Sequence, residues 1–427
     1  MRKNLLHIWY KKLSYEIREI VEIANKIEHY WKEIFWENIW DPIEKWEHVP
    51  DWMKHIVTEA LKEDKTYAYS PSKWLLETRR YLSKNNPKIW VEDIIFFNWL
   101  WEAINKTYGY LDLPVRVLWP NPAYPTHSSA EATNSWSDHL TYSLIPENDW
   151  NPSLEEIENK VKYNPNVVAI LVINPDNPTW IVFKKEILEW IVDIARRYDL
   201  FVIFDEIYEK LTFDKKDKVL LADIIGDIPW ISMKWISKEL PWPWARCGWI
   251  EVYNQDKDEN FRNYINSIFW SKMLEVCSTT LPQYILPQIY EHPNFKPYLE
   301  DRIEKYKSRA ELANKILWDI DSIIFIKPKG AFYLSVVFKL DKMKLDFTLE
   351  VENKDISNYL KSLISKDIRF DRKFCYSLLS ETWICLVPLS WFNSIYDWFR
   401  MTLLEEDIEK FKFILSTIKD FIKKVEF

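Results

Sequence analysis

Glycine is almost missing from this chain: 4 residues among 427, where ordinary usage of about 7% would give roughly 30. That leaves few places where the backbone can take positive φ or come close to a phosphate. Cysteine is scarce too. Cys247, Cys277, Cys375 and Cys385 form no CxxC pair, and a chain this long needs no disulfide staples, so reduced thiols in the cytoplasm are expected. No apolar run nears the roughly 18 residues of a membrane span, and the N-terminus shows no apolar signal core. Basic runs go no further than Lys215-Lys216 and Lys423-Lys424, and the net charge is -8. A nucleic-acid partner is therefore not expected.

What the chain has in excess is tryptophan, at 25 residues. Hydrophobic residues make up 48% and charged residues 29%, with the signs well mixed. Such a chain buries a large core in two or three domains and has no extended disorder.

Residues 15–35 read as an amphipathic helix, with Ile17, Ile20, Val21, Ala24 and Ile27 at three-four spacing. A loop or arm follows over Asp41–Asp51, then a helix over 51–63. From about 70 to 290, strand and helix patterns alternate. Short apolar strands are expected at 94–97 and 115–118, the second ending in the turn Pro120-Asn121-Pro122. Buried strands are expected at 167–173 and 200–204, with a helix over 184–198 between them. Strand, helix, strand at this spacing predicts a parallel sheet, with its chemistry at the carboxyl ends of the strands. A charged helical stretch covers 297–320, a short strand 331–338, and a last helix about 405–424.

Three segments lie where such a sheet presents its crevice. Asn174-Pro175-Asp176-Asn177-Pro178-Thr179 follows one buried strand, and Asp205-Glu206-Ile207-Tyr208 follows the next. Ser237-Lys238 comes after these, with Arg246 eight residues on and Gly248 ten residues on. Singly, each has a plain structural reading: an acid ending a strand caps a helix or pairs with a base, a Ser-Lys sits on the surface, an NxxNP stretch is a turn. In this order and in these contexts they point to one site.

With these motifs in this order, the chain resembles the class I/II aminotransferases, fold-type-I enzymes that depend on pyridoxal 5'-phosphate, over roughly residues 36–420. The resemblance implies an α/β fold with a mostly parallel central sheet and a smaller α+β domain built from both chain ends. The expected division is 1–65 as N-terminal helix and arm, part of the small domain, 66–296 as the large cofactor domain, and 297–427 as the C-terminal small domain. It implies transfer of an amino group from an amino acid to a 2-oxo acid by a ping-pong route. Lys238 would hold the cofactor as an aldimine and shuttle the proton. Asp205 would keep the pyridine nitrogen protonated. Asn177 and Tyr208 would bond the ring 3'-oxygen, Tyr124 would stack on the ring, and Arg246 would take the phosphate as a fork. Ser237 and the Trp99-Leu100 amides at a helix start would add phosphate contacts. Tyr69 would reach the cofactor of a second subunit, which implies a homodimer. Arg400 would clamp the substrate carboxylate, with Trp40 beside it, and Lys329–Tyr333 would line the pocket. No metal is assigned.

The same scaffold also runs carbon–sulfur lysis and other reactions, and that alternative stays open. A sensing regulator with an added DNA-binding module is disfavoured, because residues 1–65 show no basic helix-turn-helix.

The resemblance also sharpens the glycine deficit. Trp40, Trp74, Trp99, Trp101, Trp180, Trp235, Trp244 and, similarly, Trp119, Trp383 and Trp391 stand where the family has glycine. This is the pattern of a gene whose UGA codons mean glycine, read with UGA as tryptophan. Glycine and tryptophan, 4 and 25, together make 29, close to the roughly 30 glycines expected. Trp52 and Trp249 are candidates for genuine tryptophan. If the tryptophans are real, the alternative is a cofactor-free pseudoenzyme.

Overall fold

The computed structural model describes residues 17–29, 33–39, 41–45, 47–347, 353–364 and 368–427. An eight-stranded sheet forms the centre, ordered Ile94–Phe97, Gly248–Tyr253, Trp230–Trp235, Phe201–Asp205, Val167–Ile173, Arg116–Asn121, Thr141–Ile145 and Asn151–Pro152. The pairs from Trp230–Trp235 across to Thr141–Ile145 are parallel. Gly248–Tyr253 runs antiparallel to both of its neighbours, and Asn151–Pro152 is an antiparallel edge. The continuous apolar runs at the centre follow from burial on both faces: six of the seven residues of Val167–Ile173 are buried.

Register sets the level of the strand ends. Ile173 pairs with Asp205, and Asp205 pairs with Met233. The three motifs therefore leave adjacent parallel strands at one edge of the sheet, the position where open α/β sheets hold ligands.

A second, four-stranded antiparallel sheet is ordered Ile323–Phe325, Tyr333–Phe338, Trp398–Thr402, Val387–Pro388. The N-terminal part of the chain joins this unit. Phe35–Trp36 pairs in parallel with Ile384–Cys385, and the amphipathic helix Ile17–Glu28 packs on the helix Phe370–Thr382. The α/β fold, with a smaller α+β part built from both chain ends, is as the sequence predicts.

Three expectations need correction. The first helix does not run to 35. It stops at Glu28, and the Phe35 amide donates to the Trp383 carbonyl at 2.8 Å, so a strand contact with residues far along the chain overrides the helical period. The strand expected at 115–118 runs on through Pro120 to Asn121. Residues 116–118 pair with Val167–Ile170, whereas 119–121 pair only with Thr141–Ser143, and one-sided pairing tolerates a residue without an N–H. The strand expected from Ala331 begins at Tyr333, because Ala331 turns at φ 60° and donates to the Leu211 carbonyl. The four cysteines are free thiols. Among the described residues, no helix is long and apolar enough to cross a membrane.

Candidate active site

Lys238 lies in a single turn of helix, Ile236–Glu239, entered directly from the strand Trp230–Trp235. So short a helix cannot satisfy its own last carbonyls. Arg302, from the long helix Phe295–Leu317, does so: its Nη1 donates to the carbonyls of Lys238 at 3.1 Å and Glu239 at 2.7 Å. The Arg302 Nη2 donates to Glu47 Oε2 at 3.1 Å and to the Tyr306 hydroxyl at 2.9 Å. The backbone of Lys238 is thereby tied to the N-terminal arm. Lys238 is buried, and burial, reinforced by the positive charge of Arg400, brings its amine down from 10.5 to about 7. Its Nζ lies 5.6 Å from the ring centroids of both Trp235 and Phe332.

The amine faces a cavity of about 830 Å³ between the large sheet and the second unit. Arg246, Arg400, Tyr124, Asn177 and Tyr208 line it together with Lys238. Trp99 and Leu100 line it as well, at the N-terminus of the helix Leu100–Gly109. Arg400 comes from the strand Trp398–Thr402 and is 3% exposed, with its guanidinium 4.6 Å over the Tyr333 ring.

Several polar atoms around the cavity have no hydrogen-bond partner among the described residues. They are Asn38 Oδ1, Asn177 Oδ1, Trp235 Nε1, Arg400 Nε and, next to Lys238 in the chain, Ser237 Oγ. Orphaned buried polar atoms are uncommon and costly. Their convergence on one cavity fits a polar ligand.

Asp205 sits behind the cavity rather than on its wall. Its Oδ1 accepts from the Ile207 amide at 3.2 Å, and its Oδ2 is 2.9 Å from His127 Nε2. The other ring nitrogen of His127 is 3.2 Å from the Tyr108 hydroxyl. His127 is fully buried, and the sequence reading missed it. A lone histidine in the helix Pro125–Ser135 carries no motif, and the one available signal was its place shortly after Tyr124. Asp176 beside Asn177 is pushed up to about 7 by burial, against the two bonds it accepts from Thr179.

Tyr69 is 83% exposed and does not line the cavity. Trp40 lies outside the described residues.

The two ends of the cavity differ in their fit to pyridoxal phosphate. Around Lys238 the donor and acceptor set suits a polar aromatic ring. At Arg246 it does not suit a phosphate. The guanidinium carbon lies 4.0 Å from the Trp99 ring centroid and 5.7 Å from that of Trp235, and the two indoles are 6.4 Å apart. The two indoles lie over the guanidinium and fill the space beside it, while its N–H edges still line the cavity. The space over Arg246 that the resemblance gives to the phosphate is thus taken by the Trp99 and Trp235 indoles.

A family model for aminotransferase class I and II matches residues 114–411. An uncharacterized aminotransferase of Methanocaldococcus jannaschii is 50% identical over 425 residues, 98% of each chain. The glutamate-pyruvate aminotransferase of Escherichia coli K12 is 27% identical over 80% of this chain and 86% of its own. Among solved structures, an alanine aminotransferase from Pyrococcus furiosus superposes with a TM-score of 0.83, covering 98% of this chain and all of that one at 24% identity, a likeness of fold. The chain belongs to the class I and II aminotransferases.

Proposed function

We propose that this aminotransferase works at the cavity around Lys238, exchanging the amino group of an α-amino acid for the keto oxygen of a 2-oxo acid. One observation carries the reading: a buried amine brought to about 7 shares a cavity with a buried arginine from the second unit. A neutral amine at physiological pH can attack a carbonyl carbon or take a proton from an acidified α-carbon. Arg400 supplies a fixed cation for the α-carboxylate that both substrates share. Asp205, held by His127, is a buried carboxylate positioned behind the reacting face.

Pyridoxal 5'-phosphate is the carrier the family implies; when bound, it supplies an electron sink for the α-carbon. Its ring end matches Asn177, Tyr208, Tyr124 and Asp205, whereas its phosphate end meets Trp99 and Trp235. We further propose that residues 1–65 and 297–427 form one smaller domain beside 66–296, and that the protein is a cytoplasmic homodimer in which exposed Tyr69 serves the second subunit.

The test is a screen of amino donors against pyruvate and 2-oxoglutarate, run on the chain with glycine at 99 and 235 so that the indoles no longer fill the phosphate end, beginning with glutamate and pyruvate, the pair named for the Escherichia coli relative. Transfer that disappears in Lys238→Ala supports the reading. Turnover of a donor without any 2-oxo acid acceptor would favour a lyase instead.

A further inference from the structure

We propose that the polypeptide made by the source organism carries glycine, not tryptophan, at positions 74, 136, 150, 180 and 383, and also at 99 and 235. Among the described residues, five tryptophans take positive φ: Trp74 at 62°, Trp136 at 51°, Trp150 at 60°, Trp180 at 63° and Trp383 at 64°. Asparagine and aspartate together contribute four such residues, Asp149, Asp199, Asn254 and Asn393, glycine contributes Gly226, and Arg246, Val276 and Ala331 contribute one each. That ranking is inverted. The left-handed region suits glycine, then asparagine and aspartate, whose short side chains bond locally; a bulky side chain there is an outlier.

The local geometry repeats a glycine signature. Trp136 and Trp383 directly follow the helices Pro125–Ser135 and Phe370–Thr382, and their amides return to the Ala132 and Leu379 carbonyls at 3.1 and 3.0 Å. A left-handed residue at this place after a helix is usually glycine. The sequence motifs had not singled out positions 136 and 150.

Unpaired donors give independent support. Of the seven positions, Trp180 Nε1 donates to Ser335 Oγ at 3.2 Å, whereas the indole N–H groups of Trp74 and Trp235 are buried with no hydrogen-bond partner among the described residues, although a buried indole N–H ordinarily finds one. Trp249 behaves otherwise: its Nε1 donates to Glu251 Oε1 at 3.0 Å. Trp52 stacks on His292 at 4.5 Å. Neither has positive φ, so both keep the character of genuine tryptophan.

Arg246 adds the third observation. Among the described residues, the indoles of Trp99 and Trp235 lie over its guanidinium, and glycine at both positions frees the space they fill. One cause produces strained turns, orphaned donors and a covered cation together: UGA codons that specify glycine, read as tryptophan. Separate substitutions have no reason to choose one residue type for all three.

The inference does not rest on the functional reading, and its tests are separate from it. The direct test is the codon at each position in the source gene, with peptide masses of the protein isolated from that organism. We expect UGA and glycine masses at the seven positions, and UGG at 52 and 249. UGG at 74, 180 and 383, or tryptophan masses there, overturns the inference. A physical test uses two helix ends, Trp136, which is 53% exposed, and Trp383, which is half-buried against the core. Trp136→Gly and Trp383→Gly should each raise the thermal midpoint, whereas Trp136→Ala should not. Equal or lower midpoints for both glycine variants would count against it, and should the chain as written not fold, the codons and masses still decide. A glycine-bearing chain that folds but transfers no amino group would sink the functional reading and leave this one standing.

Discussion

Lys238 is set apart from an exposed lysine by its surroundings. Burial, with Arg400 adding to it, brings the amine down to about 7, so a substantial fraction is neutral at a pH where an exposed lysine is charged. We predict that borohydride trapping of Lys238 with a small aldehyde rises with pH through a midpoint near 7, measured by peptide mapping; a midpoint near 10 would contradict the assigned environment. The same shift affects stability. The unfolded chain binds the proton up to pH 10.5 and the folded chain only up to about 7, so this group's contribution to stability rises as pH rises through that window. His127 is a second residue-scale test. Removing it leaves the Asp205 carboxylate buried beside an empty site, so His127→Ala should cost about 1–3 kcal/mol, read by denaturant unfolding, and should reduce transfer; an unchanged midpoint would show that Asp205 needs no such partner. Lys238, Arg400 and Asn177 were legible because their neighbours in sequence form motifs. His127 was not, because its partner is 78 positions away and nothing local marks it.

At the scale of elements, the carboxyl ends of three adjacent parallel strands place the motifs, and apolar runs made those strands legible. Pairings between distant segments were not legible. The contact of Phe35–Trp36 with Ile384–Cys385 depends on two strands of two residues each, too short for any period to show. The tie from Glu47 through Arg302 to the Lys238 carbonyl also spans three elements without a shared motif. Arg302→Ala removes the cation that pairs Glu47 and leaves two helix-end carbonyls unbonded. We expect a loss of about 3 kcal/mol and a broader pH profile for Lys238 trapping, because the turn that carries it loosens; Arg302→Lys should recover part of the stability but not the two-carbonyl geometry. For the helix end at Trp136, relief of left-handed strain by glycine is worth about 1 kcal/mol, less what the more flexible unfolded chain gains.

For the whole molecule, the second unit contributes Arg400 and Tyr333 to a cavity whose amine belongs to the first. The fold class was readable from alternation of elements, and membership of the aminotransferases rests on motif order confirmed across nearly the full chain. What motif order could not supply was the shape of the phosphate end, because that depends on the side chains at 99 and 235. Our proposal is that Lys238 is the reacting amine and that pyridoxal phosphate should reach it only when those indoles are gone. The measurement is stoichiometric addition of pyridoxal phosphate, borohydride reduction and peptide mapping, run on the chain as written, on a chain with glycine at 74, 99, 136, 150, 180, 235 and 383, and on that glycine chain carrying Lys238→Ala. We predict saturable labelling confined to Lys238 in the glycine chain, and none above background in the other two. Equal labelling of Lys238 in the chain as written, or labelling of the glycine chain at a different lysine, would contradict the account.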